Sequence, residues 1–363
     1  MEPSLYLELV RDNFATFAGR VVQNLNGTIN TAVNSGYRHL TMLTKVFSAT
    51  LKWQSITNSN NVAVAADIIA MDSEIPLKTR GSLGGAQGDV PKVAMKKWLN
   101  EKQMSDLGII SRIPGQTNQL ISLLFQDTPM VIKGVYERNE YMFLEALSTG
   151  FATMTDPENI GLGIRVNYNF NATATVFDEW VANPTTAVPL TDMAAVQATA
   201  EAAGYSIIRW MMDRATFNAM IATNQVKQEV AAALGFFGAT IPGVTFSQVN
   251  NALQDKYGWS IEIVERKVIT EKDGVQTVRT PWAAGQVAGI STPIVGSLTW
   301  SRCVEMDHPV GGVTYATAND YILASKYRKN EPSISEWTAS QAMVIPVVDA
   351  TGIYLIDTLT ATA

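Results

Sequence analysis

The side chains able to do chemistry in this chain are few: one cysteine, Cys303, and two histidines, His39 and His308. Cys303-x4-His308, with Asp307 beside the histidine, has the residue types of a thiolate–imidazole pair. Its setting, between Trp300 and the Gly311-Gly312 turn, reads as a loop holding a small apolar cysteine. Glu137 and Glu140 stand three apart beside Arg138 on one helical face, where solvation or subunit pairing is expected rather than acid–base work. The glycine-rich run Gly81–Gly88 ends in Asp89 instead of Lys-Ser/Thr, and a carboxylate there repels phosphate. Trp53, Trp98, Trp180 and Trp337 are scattered along the chain rather than interleaved with basic residues, so no stacking platform is expected. A single cysteine excludes an intrachain disulfide framework and a cysteine-rich zinc site, and two histidines argue against a multi-histidine metal centre. No catalytic residue, cofactor or metal is expected.

The bulk properties point the same way. The 363 residues exceed one compact domain, and 47% hydrophobic content is ample for a core. A formal charge of −6 argues against nucleic-acid binding through an ordinary basic patch. The opening MEPSLYLELVRD is acidic where a secretion signal is basic, and no stretch approaches the roughly twenty apolar residues that span a bilayer. The expectation is a soluble, cytosolic product with no membrane partner.

The elements are organised around residues 128–150, TPMVIKGVYERNEYMFLEALSTG. Thr128 is the expected N-cap, Pro129 the first helical residue and Gly150 the left-handed terminator. Ile132, Val135, Met142, Phe143, Ala146 and Leu147 form an apolar stripe, with Glu137, Arg138 and Glu140 left for solvent or a neighbouring subunit. Ahead of it, residues 13–53 carry a helical pattern broken at Asn26-Gly27 and Ser35-Gly36; its stripe is expected to be covered by a neighbouring chain.

Residues 62–71 and Lys92 to Trp98 read as two antiparallel arms with a mobile glycine-rich tip that cannot bury a core alone. Residues 78–102 are net +4, leaving −10 for the remainder, so this basic projection suits docking on another copy of the acidic body.

Residues 190–300 read as a separate α/β unit. Asp192 caps a helix ending at Gly204, 205–212 is a buried strand, Asp213 caps a second helix, and Lys272-Asp273-Gly274 turns a hairpin. The closing strands, 321–327, 335–348 and 353–358, are expected beside the long helix, making the first domain discontinuous.

Three stretches together resemble a known family. YERNEYMFLEALSTG resembles the charged-then-apolar helix ending in Leu-x-Thr-Gly of lambda-type (E family) phage major capsid proteins. NPTTAVPLTDMAAVQATAEAAGYSIIRWMMDRATFNAMIATNQV is similar to that family's next block, and RKNEPSISEWTASQAMVIPVVDATGIYLIDT to its closing strands, where a Gln-Ala-x-x-Ile-Pro run precedes the final segment. The resemblance spans residues ~60–358 and rests on the order of these blocks.

It implies an α+β Hong Kong 97-type capsid fold. Residues 1–61 would be the N-terminal arm, 62–105 the extended β-hairpin loop, and 106–189 the peripheral domain with spine helix 128–150. Residues 190–300 would be the inserted axial domain and 301–363 the return to the peripheral domain. It further implies a non-enzymatic subunit forming hexamers and pentamers of an icosahedral or prolate head around double-stranded DNA, assembled in the bacterial cytoplasm and located in the virion. Partners would be a separate scaffolding protein, a portal and a possible decoration protein; an encapsulin-like nanocompartment shell is the alternative.

Inter-subunit contacts would involve Lys78, Arg80, Lys92, Lys96, Lys97, Glu137, Arg138, Glu140, Arg328, Lys329, Asn330 and Glu331. Some shells of this fold crosslink a loop lysine to an asparagine; Lys78 and Asn330 sit in suggestive places, but the lambda-type group is not expected to do so.

Overall fold

The computed structural model describes residues 1–27, 36–58, 83–154, 164–236, 243–272, 274–331 and 333–361. The chain forms two compact units, each assembled from separated segments.

The first unit comprises Met1–Trp53, Gly88–Met142 and Ser297–Val347. Its sheet runs in the order Leu43–Phe47, Gly296–Ser301, Ser335–Val348, Ile322–Lys329, Thr314–Ala318, and Lys92–Leu99 also pairs with Ser335–Val348. The Thr314–Ala318/Ile322–Lys329 hairpin turns through Asn319 and Asp320, both at positive φ, a conformation that short polar side chains tolerate.

One face of this sheet packs on the long helix Thr128–Thr149. Ser340 Oγ donates to Val131 O at 2.5 Å, and a Cβ at Gly134 would collide with Met95 Sδ. That helix has the expected bounds, and Gly150 closes it at φ +75. Thr128, however, does not cap it: its hydroxyl has no partner, and its own N–H bonds the O of Phe125, the residue that ends the preceding helix Thr117–Leu124.

The arm helix Leu7–Gly27 corrects another expectation. Val10, Phe14, Ala18 and Val22, four residues apart, are buried within this same unit, and Phe14 and Phe17 stack on Phe125. The stripe is covered at home because the intrachain surface matches its four-residue period. Leu43–Phe47, read as helix, is a strand beside Gly296–Ser301, anchored by Ser48 N–H to Trp300 O.

The second unit comprises Gln54–Gln87, Phe143–Gly296 and Val348–Ala363. Its sheet order is Ala174–Val176, Ile353–Ala361, Gln286–Ile290, Arg209–Asp213, Ser260–Val264, parallel at both outer pairs and antiparallel within. Trp180, Met193, Trp210, Phe217, Met220, Leu253 and Trp259 fill its core between the sheet and its helices.

Asp213 caps Arg214–Ala222 as expected, accepting from Thr216 N–H. Asp192 does not cap: its helix, Pro189–Ala202, starts earlier, and the carboxylate instead accepts from Phe177 N–H and Trp180 Nε1. The expected 205–212 strand is confined to Arg209–Asp213. The Val268–Lys272/Val275–Arg279 hairpin forms in register, with Asp273 outside the described residues. Ile353–Ala361 lies in this sheet and not in the sheet of the first unit; Ile353, Tyr354, Leu355 and Ile356 are all buried, as an interior strand requires.

The expected 62–71 strand lies outside the described residues. Leu83–Asp89, read as part of a loop tip, is a strand paired with Lys52–Asn58. Glycine permits this here: a Cβ at Gly88 would come within 2.9 Å of Trp53 Nε1.

Candidate functional site

The expected contact residues that are described fall into three groups. Lys78 and Arg80 lie outside the described residues. On Lys92–Leu99, alternate side chains separate by face. Lys92 pairs with Glu305 at 3.2 Å, and Lys96 sits with its Nζ 5.2 Å from the Trp337 ring centre. Lys97 is on the other face, where its charge and that of Lys326 oppose the rise that burial imposes on the Asp127 pKa.

At the far end of Ile322–Lys329, Arg328 exchanges both backbone hydrogen bonds with Glu2 and forms an ion pair with its carboxylate. Asn330 also bonds the Glu2 carboxylate, holding Glu2 below its ordinary pKa together with Arg328, the larger cause. Lys329 Nζ is 5.0 Å from the Trp337 ring centre, and Glu331 is exposed.

The third group lies on the long helix. Glu137 accepts from Tyr37 OH at 3.1 Å and lies 3.9 Å from Lys133, one turn earlier. Arg138 stacks over Tyr141. Glu140 is not on an outer face: it is fully buried. Its Oε1 accepts from Arg38 N–H at 3.0 Å, and its Oε2 accepts from His39 N–H at 3.0 Å and faces His39 Nδ1 at 2.7 Å. Burial alone would raise the Glu140 pKa, but the His39 and Arg38 donors outweigh it and hold the carboxyl below its ordinary value. The helical pattern could not place Glu140 because its partner is a hundred residues away in the chain.

A second buried charge went unread. Lys326 is fully buried, donating to Leu124 O at 2.9 Å and Thr338 Oγ1 at 3.0 Å. Burial drives its pKa down to about 8, against the opposing charges of Glu336 and Asp127. Glu336 is also fully buried, and burial raises its pKa.

The tryptophans are not all scattered in space. Trp98 and Trp337 are register partners with ring centres 4.9 Å apart, and Tyr327 lies parallel to Trp337 at 6.4 Å. Lysine–tryptophan alternation at 96/98 was the available signal.

Cys303 is buried, which raises its thiol pKa, while His308 is exposed, and no hydrogen bond joins their side chains. Among the described residues no cluster of three or more His, Cys, Asp or Glu could hold a metal, and no helix is long and apolar enough to cross a membrane. The arrangement supplies charged and aromatic contact surfaces and no reactive centre around Cys303.

Residues 108–288 match the family model of phage major capsid protein E. No curated protein sequence matches the chain. Among solved structures, the chain is similar to one described as a prophage capsid protein of E. coli CFT073. The identity is 11%, the coverage 75% of this chain and 79% of that one, and the TM-score 0.51. A phage-related protein from Bordetella bronchiseptica RB50 is similar at 13% identity, covering 94% and 96% of the two chains, also with a TM-score of 0.51. A long helix packed on the first unit's sheet, and a second α/β sheet unit, are thus the Hong Kong 97-type capsid fold. By its sequence blocks, its fold and this match, the chain belongs to the phage major capsid protein E family.

Proposed function

We propose that this head-shell protein assembles as hexamers and pentamers into an icosahedral or prolate shell around double-stranded DNA. The observation that carries the reading is the capsid-family match over residues 108–288, which includes the whole of the long helix and the elements that follow it as far as residue 288. In this reading residues 1–61 are the arm, 62–105 the extended loop, 128–150 the spine and 190–300 the axial domain. Lys78, Arg80, Lys92, Lys97, Glu137, Arg138, Arg328, Asn330 and Glu331 meet neighbouring subunits; Glu140, sealed inside its own subunit, does not, and Lys96 and Lys329, both over the Trp337 ring, are left for another partner.

The subunit works without catalysis. An acidic body neutralises few phosphates, so packaged DNA stays free to slide along the inner wall. A separate scaffolding protein, a portal and a decoration protein complete the particle, which assembles in the host cytoplasm. Negative-stain electron microscopy of the purified protein, with and without co-expressed scaffold, tests the reading. Closed shells or rings of six and five are expected; a monomer that assembles under no condition of salt, crowding or scaffold overturns it.

A further inference from the structure

We propose that the sheet face of the first unit that carries Trp98 and Trp337 binds an extended acidic peptide segment of a partner protein, anchored by a proline or aromatic side chain.

The face follows from strand alternation and register. Trp98 is opposite Trp337, which is opposite Tyr327; one row on, Lys96, Ala339 and Ser325 align in the same way. The three rings form one cluster, with Lys96 and Lys329 both over Trp337. Trp98 remains 56% exposed, a large apolar surface left in water at the centre of a positive patch. Neither lysine makes an ion pair among the described residues, so both charges are available to an incoming carboxylate. Tryptophan flanked by cations is the composition of an interface anchor, and an adjoining groove of about 400 Å³ passes over small side chains, Ala94, Ala339 and Ser325. Small residues leave room for a peptide backbone, and the groove's apolar wall of Val310 and Val313 suits a ring or a proline.

Charge selects the occupant. The chain's own basic stretch, with Lys78 and Arg80, would meet like charge at Lys96 and Lys329. Among the described residues of this face a nucleic-acid strand would find two unpaired cations, with Glu305 lining the groove and Glu331 exposed close by in sequence to Lys329. A carboxylate-rich peptide meets both lysines, and its ring or proline covers Trp98.

The test uses the full-length purified protein, as subunit and as assembled particle. Three fluorescein-labelled probes are titrated by anisotropy: a peptide alternating Glu and Pro with one central Phe, its Lys-for-Glu counterpart, and an oligo(dT) strand of similar length. Saturable binding of the acidic probe alone is expected, weakened about tenfold or more by Trp98→Ala and by Lys329→Glu, and largely kept by Trp98→Phe. Circular dichroism confirms that each variant is folded; the two substitutions are independent, so a misfolded one leaves the other to decide. No saturable binding, binding that both variants leave unchanged, or binding of oligo(dT) in place of the acidic peptide overturns the proposal.

Discussion

Nδ1 of His39 lies 2.7 Å from Oε2 of Glu140, and neither side chain has any exposure to solvent. The same carboxylate also receives the backbone N–H groups of Arg38 and His39, so one glutamate on the long helix holds the start of the short helix Arg38–Met42. Replacing Glu140 with Ala strands two buried donors of His39 and the partly buried N–H of Arg38. The expected loss is ~3–5 kcal/mol in denaturant unfolding, with Glu140→Gln less severe. A loss below about 1 kcal/mol would show that the clasp contributes little.

The clasp also sets a pH window. A carboxyl whose folded pKa lies below its unfolded value contributes stability that is fully present above the unfolded value, here 4.5, and is lost as pH falls through the folded one. Wild-type stability is therefore expected to fall below about pH 4.5 more steeply than that of Glu140→Gln, measured by thermal scans across pH 3–6.

Lys326 acts at the alkaline end, where its charge is a cost to the fold and stability again rises with pH. Its folded pKa of about 8 lies below the ordinary 10.5, so the folded state carries the cost of its buried charge below pH 8. That cost is relieved between pH 8 and 10.5, a gain on the order of 3 kcal/mol for the wild type. Lys326→Met lacks the alkaline gain, which urea midpoints at pH 7.5 and 10 reveal. Parallel pH dependence in the two proteins counts against a depressed lysine.

In the second unit, Gly289 gives Trp210 and Ile207 their packing space: a Cβ there would lie 2.8 Å from Trp210 Cζ3 and 2.9 Å from Ile207 Cδ1. Both neighbours are held in the core and cannot swing aside. Gly289→Ala is expected to destabilise by ~1–3 kcal/mol through overpacking, despite the usual benefit of removing a strand glycine. Calorimetry reads it directly, and an unchanged or raised melting temperature would show that the core has slack.

Removing residues 63–81 spares the Lys52–Asn58/Leu83–Asp89 ladder while deleting Lys78 and Arg80. The subunit is expected to fold with wild-type circular dichroism and to form no shells in micrographs. Normal shells would mean that this stretch takes no part in docking.

What could be read ahead of the structure was what is written locally. Pro129 and Gly150 bracket the long helix, Asp213 caps Arg214–Ala222, and Lys272-Asp273-Gly274 marks a hairpin, because each signal acts within a few residues. Partners far apart in the chain stayed hidden. Glu140 looked like a surface charge because its buried partner, His39, lies a hundred positions away. Trp98 and Trp337 looked isolated because strand register alone brings them together. The glycines of 83–89 pointed to a loop, whereas close packing under Trp53 favours Gly88 in a strand.

The order of strands in the two sheets also governs when each can be completed during synthesis. Ser335–Val348 is an inner strand of the first sheet, and Ile353–Ala361 an inner strand of the second. Both come from residues 335–361, so neither sheet closes until the ribosome has read through that stretch. A shorter nascent chain carries two sheets with open edges and no finished body. Only a subunit translated through residue 361 presents completed surfaces to its neighbours, which separates the making of the part from the building of the shell.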